Sequence, residues 1–92
     1  MKEYQGKLAF ITGGASGAGL GQAKVFAEAG CHLALVDVRP GPLAAAHEYF
    51  TRRGVRVHTI QLDITDRAAY ARAADEVEGV FGTPPYLLFN TA

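Results

Sequence analysis

The 92-residue chain has one cysteine, one methionine and no tryptophan. A single thiol excludes both a disulfide framework and a metal cluster built from thiolates. Cys31 is expected as a small apolar side chain entering a strand. A reactive thiol ranks second, because no His-Asp or lysine partner pattern stands beside it. Charge of one sign is also missing: nine acidic and nine basic residues cancel. A balanced chain has no electrostatic footprint for nucleic acid or an anionic membrane, so neither is expected as a partner. No stretch approaches the ~20 apolar residues that span a bilayer. The opening "MKEYQGK" lacks the apolar core of a signal peptide, and a cytoplasmic location is expected.

What the chain does have is apolar residues (49%) and eleven glycines, with only 20% charged residues. That composition excludes a disordered chain and favours one small domain, burying roughly 60–65% of its unfolded surface. No internal repeat, linker or low-complexity segment interrupts it. "LAFIT" (Leu8 to Thr12), "LALVD" (Leu33 to Asp37) and "YLLF" (Tyr86 to Phe89) are short continuous apolar runs, as in strands covered on both faces of a parallel sheet. "VRVHTI" (Val55 to Ile60) alternates, which suits a strand nearer an edge.

Helical periodicity fills the intervals. From Ala18 to Ala29, Gly19, Ala23, Phe26 and Gly30 share a face, with Lys24 and Glu28 as an outward i,i+4 pair. From Leu43 to Arg53 the buried stripe is Leu43, Ala46, His47 and Phe50. From Asp66 to Phe81 it is Tyr70, Ala73, Ala74, Val77 and Phe81, with Thr65 or Asp66 as N-cap. Gly30, Gly54 and Gly82 stand where left-handed C-caps are wanted. The resulting βαβαβαβ order, with right-handed crossovers, gives an α/β fold with three layers, a parallel sheet between helices.

"ITGGASGAGLG" (Ile11 to Gly21) joins the first strand to the first helix. Glycines at 13, 17 and 19 permit a tight turn and a close backbone approach to a ligand, and the helix N-terminus offers unpaired N–H groups to a pyrophosphate. Asp37 closes the second strand about twenty residues later, where a carboxylate can accept from an adenosine ribose. A glycine-rich hairpin with a capping aspartate is the plainer alternative. A P-loop is excluded, because Gly19-Leu20-Gly21 stands where Gly-Lys-Ser/Thr is required.

Thr12-Gly13-Gly14-Ala15-Ser16-Gly17-Ala18-Gly19 resembles the TGxxxGxG signature of the short-chain dehydrogenase/reductase family. The likeness continues through Asp37, through "LDIT" (Leu62 to Thr65), and through "NTA" (Asn90 to Ala92), which is similar to the family's Asn-Asn-Ala-Gly turn. It covers the whole chain and implies the N-terminal part of an NAD(P)-binding Rossmann domain over residues 1–92, with strand order 3-2-1-4. By that resemblance Gly13, Gly17 and Gly19 line the pyrophosphate, and Ser16 and Leu20 touch the phosphate or nicotinamide side. Asp37 holds the adenosine ribose, Asp63 and Ile64 border the adenine, and Asn90 and Ala92 lie under the ribose. Thr91 departs from the family's second Asn, and the closing Gly would follow Ala92.

The cofactor implied is NAD rather than NADP, because the Asp37 carboxylate repels a 2′-phosphate. Arg39 pulls the other way, although the family's discriminating basic residue usually occupies the position of Val38. Family members act on alcohol/carbonyl pairs with a Ser, a Tyr-x-x-x-Lys pair and an Asn beyond the fourth strand. Here Tyr4, Tyr49, Tyr70 and Tyr86 are followed four residues on by Leu8, Arg53, Ala74 and Asn90, so no catalytic residue is assigned. Nor is a metal site: His32, His47 and His58 lack ligand spacing. His47 reads as a packed histidine, the other two as strand residues, and the acids of Asp75 to Phe81 as a solvated face. The expectation is a dinucleotide-binding part of an oxidoreductase, stopping at Ala92 inside a larger domain and inactive alone. The alternatives are an assembly module that forms a homo-oligomer along an open fourth-strand edge, and an active dehydrogenase whose sequence continues.

Overall fold

The computed structural model describes residues 4–15 and 17–90. Its elements are β1 (Leu8–Thr12), α1 (Gly17–Glu28), β2 (His32–Asp37), α2 (Pro40–Arg52), β3 (Val57–Gln61), α3 (Arg67–Phe81) and β4 (Leu87–Asn90). The four strands form one sheet in the order β3-β2-β1-β4, every pair parallel.

The continuous apolar runs conceal a period of two. In β1, Ala9 and Ile11 point to one core and Leu8 and Phe10 to the other; in β2, Leu33 and Leu35 are set against Ala34 and Val36 in the same way. The first core is closed by Ala23 of α1 and by Leu43, Ala46 and Phe50 of α2. Val77 of α3 closes the second, with Tyr70 and Phe81 packed against it. Helices therefore cover both faces of the sheet. Each fully buried Leu, Ile, Val or Phe contributes about 1.5–3 kcal/mol. β1 and β2, which carry six of them (Leu8, Phe10, Ile11, Leu33, Leu35, Val36), are thus the rigid centre from which the loops project.

Three local expectations are corrected. α2 begins at Pro40 rather than Leu43. Pro40 and Pro42 occupy the first turn, where their missing N–H groups have no helical partner, and the Leu43 amide makes the first helical bond back to Arg39 O. β3 begins at Val57 rather than Val55, because the Val55 amide bonds to Phe50 O and belongs to the end of α2. His47 is exposed, not packed: α2 lies nearest the edge strand β3 and buries only the narrower stripe of Leu43, Ala46 and Phe50.

The ends of α3 follow the sequence. Asp66 Oδ1 accepts from the Ala69 amide at 3.1 Å, and Gly82 closes the helix at φ 74° with its N–H on Glu78 O. Gly30 and Gly54 also have positive φ. Cys31 is buried at the entrance to β2, its thiol on Tyr4 O, and burial pushes that thiol above its ordinary pKa, as suits a packing residue. No described helix is long and apolar enough to cross a membrane.

Candidate functional site

At the C-terminal ends of β1, β2 and β3 the chain leaves the sheet three times, and the three exits enclose a cleft of about 420 Å³. Its walls are the glycine-rich turn and first turn of α1 (Gly13, Gly17, Ala18, Gly19), the end of β2 (Val36, Asp37, Val38, Arg39) and the segment after β3 (Leu62, Asp63, Ile64). Clefts of a few hundred Å³ at this edge of a parallel sheet are the usual ligand position in such folds.

The turn is held hard against β2. The Gly13 and Gly14 amides both donate to Val36 O, at 2.7 and 3.2 Å. Gly13 and Gly17 have φ of 67° and 58°, a region that side-chain-bearing residues rarely adopt. Gly14 is needed for closeness: a Cβ there would lie 2.9 Å from Leu35 Cδ2 and 3.0 Å from Ile11 O. α1 starts at Gly17, and the residues of its first turn, whose amides have no helical acceptor, line the same cleft.

Asp37 is 6% exposed, and a carboxylate so enclosed needs donors. Oδ2 accepts from the Ala15 amide at 3.4 Å, and Oδ1 from the Arg39 amide at 3.1 Å, with Arg39 Nε 3.5 Å away. Asp63 is exposed and turns the chain toward α3: its Oδ1 accepts from the Thr65 amide at 2.9 Å and the Thr65 hydroxyl at 2.8 Å. The amide bond first and the hydroxyl second hold its carboxyl below the usual aspartate pKa.

The cleft thus brings together Gly13, Gly17, Gly19, Asp37, Asp63 and Ile64. Leu20 is not on its wall; half-buried, it rests on the core under α1 and α2, because the second residue beyond Ala18 has rotated away from the mouth. The backbone of Asn90 is paired with Thr12 at the end of β4. Ser16 and Ala92 lie outside the described residues. Leu62, the first residue after β3, was missed as a wall residue. Its signal is register: its amide bonds to Asp37 O, which aligns it with the acidic end of β2.

A second cavity of about 210 Å³ lies between α1 and α2. It is a weaker candidate, since Lys24 Nζ and Arg53 Cζ already occupy the Tyr49 ring at 4.8 and 3.5 Å. Lys24 was expected beside Glu28; the aromatic ring of α2 takes it instead. The His58 ring reaches across from β3 to Glu76 of α3 at 2.6 Å, while His32 stacks on Phe81. Among the described residues, no group of three or more His, Cys, Asp or Glu is placed to hold a metal ion.

Comparison with known proteins decides the family. The model described as short chain dehydrogenase matches residues 7–92. The chain belongs to the short-chain dehydrogenase family. Among curated relatives of this dehydrogenase family, a C alpha-dehydrogenase of Sphingobium sp. is 58% identical over all 92 residues, which make up 30% of its own length. Similar solved structures include cofactor complexes. A short-chain dehydrogenase/reductase of Burkholderia phymatum in complex with NAD is 36% identical, with a TM-score of 0.91 over 97% of this chain and 31% of its own. The L-sorbose reductase of Gluconobacter frateurii complexed with NADPH and L-sorbose is 34% identical, with a TM-score of 0.86 over 96% of this chain and 34% of its own. The chain therefore spans about a third of the length of these short-chain dehydrogenases.

Proposed function

We propose that residues 1–92 are the N-terminal part of a nicotinamide-dinucleotide-binding domain, and that the cleft takes the adenosine diphosphate half of the cofactor. The observation that carries this reading is the convergence on one cleft of a positive-φ glycine turn, a helix N-terminus and an enclosed carboxylate. The residues fit the group. Beyond its chain neighbours and the helix's own backbone, a Cβ at Gly17 would meet nothing within 4 Å, so the space beside the turn is open to a ligand. The amides of α1 would hold the pyrophosphate beside Gly13, Gly17 and Gly19, with Ser16 at its nicotinamide side; Leu20, packed on the core, would stand behind them. Asp37 would accept from the ribose hydroxyls, Asp63 and Ile64 would border the adenine, and Asn90 and Ala92 would support the ribose.

We further propose NAD over NADP. The neighbours hold either one, but here a carboxylate closes the ribose side, and bringing a 2′-phosphate to it costs Coulomb energy. The whole protein would be an oxidoreductase of alcohol and carbonyl groups, cytoplasmic, with the bound dinucleotide supplying hydride transfer. These 92 residues would contribute binding and orientation: none of their tyrosines has a lysine four residues on.

Isothermal titration tests the reading. ADP-ribose and NAD should bind with near-equal affinity, because every wall of the cleft is on the adenosine diphosphate side. NAD binding far tighter than ADP-ribose would contradict it. A second reading, self-association along β4, is favoured by that strand's place at the sheet edge. Sedimentation at micromolar concentration should then give a dimer or larger species, and a clean monomer would remove it.

A further inference from the structure

We propose that Asp37 is a positioning residue for the phosphate-binding turn: its carboxylate ties the glycine-rich loop to β2, independently of any contact with ribose. The inference rests on the cleft being the adenosine diphosphate site.

Among the described residues, three turn amides are anchored on the end of β2. Two of them, from Gly13 and Gly14, reach the Val36 carbonyl and are indifferent to side-chain identity. The third, from Ala15, reaches Asp37 Oδ2 at 3.4 Å across 22 residues of sequence. Among the described residues this is the anchor closest in sequence to the α1 N-terminus, and of the three it is the one that depends on a side chain. The carboxylate is itself fixed, because its other oxygen accepts from the Arg39 amide and lies 3.5 Å from Arg39 Nε. A carboxylate offers about four acceptor positions. Two of them accept from the protein's own amides, with Arg39 Nε 3.5 Å from one of the oxygens, so ribose recognition accounts for only part of what Asp37 does.

The two roles respond differently to a ligand without ribose hydroxyls. The probe is the 5′-diphosphate of 2′,3′-dideoxyadenosine, compared with ADP by titration calorimetry on the unaltered protein, Asp37→Ala and Asp37→Asn. If Asp37 acted only on ribose, Asp37→Ala would leave binding of the dideoxy ligand unchanged, or strengthen it by removing a negative charge near the phosphates. If it positions the turn, Asp37→Ala weakens the dideoxy ligand by roughly 3- to 10-fold, the worth of one hydrogen bond. Asp37→Asn, which also loses the charge but keeps an oxygen able to serve one amide, falls between the two. The Ala15 amide should exchange faster with solvent in Asp37→Ala than in Asp37→Asn. Dideoxy binding by Asp37→Ala as tight as by the unaltered protein overturns the inference and leaves the cleft assignment standing. Failure of the unaltered protein to bind either ligand overturns both.

Discussion

Replacing Gly14 by alanine adds one methyl group where the turn meets the sheet. The added Cβ would sit 2.9 Å from Leu35 Cδ2, 3.3 Å from Leu35 Cβ and 3.0 Å from Ile11 O. Carbon atoms rest at about 3.5–4.0 Å, so at least ~0.6 Å must be found. Leu35 is fully buried and Ile11 O is backbone of the central strand, so neither side can retreat cheaply. Overpacking of this kind costs about 1–3 kcal/mol. In a domain of this size each kcal/mol moves the melting point by about 4–8 °C, giving a fall of about 4–24 °C. Gly21→Ala, seven residues on, is the internal control. It lies inside α1 with nothing within 4 Å of the new Cβ, and removing a helix glycine should stabilise by about 0.5–1 kcal/mol. Thermal and urea unfolding followed by circular dichroism measure both. A Gly14→Ala protein that melts at or above the unaltered one would refute the tight seating of the turn on β2.

Asp66→Ala removes the side chain that caps α3 at the Ala69 amide and should cost about 1 kcal/mol in urea unfolding. Asp63 has a lowered pKa in the fold, so its contribution is present above the unfolded value and is lost as pH falls through the folded one. The Thr65 amide resonance should therefore titrate with a midpoint below the ordinary aspartate range, and Thr65→Ala, which deletes the hydroxyl donor, should raise that midpoint. Cys31, buried and with a raised pKa, should react with a disulfide reagent at pH 8 only at the rate of unfolding, and promptly in denaturant.

How far the sequence disclosed this structure depended on how local the cause was. β1 could be read to the residue, and α3 to within one, because apolar runs, an aspartate cap and a trailing glycine act within a few residues of themselves. The division of Leu8, Ala9, Phe10 and Ile11 between two cores followed from strand geometry once the sheet was parallel. The failures arose where a distant element decides. His47 is exposed because α2 sits toward the sheet edge, and Lys24 leaves Glu28 for a tyrosine on another helix. In the site, Gly13, Gly17, Gly19 and Asp37 were legible as a spaced pattern. Gly14 was not singled out, since its need for smallness comes from Leu35, 21 residues away, and the Ala15–Asp37 bond has no sequence signal at all.

The central claim is that one cleft, at the C-terminal ends of β1, β2 and β3, holds adenosine diphosphate. Titration of the isotopically labelled protein with ADP, read through backbone amide shifts, tests it most directly. The perturbations should centre on Gly13, Gly17, Gly19, Val38, Asp63 and Ile64, leaving Lys24, Tyr49 and Arg53 of the second cavity unmoved. Shifts centred on Lys24, Tyr49 and Arg53, or no shifts at millimolar ADP, would contradict it.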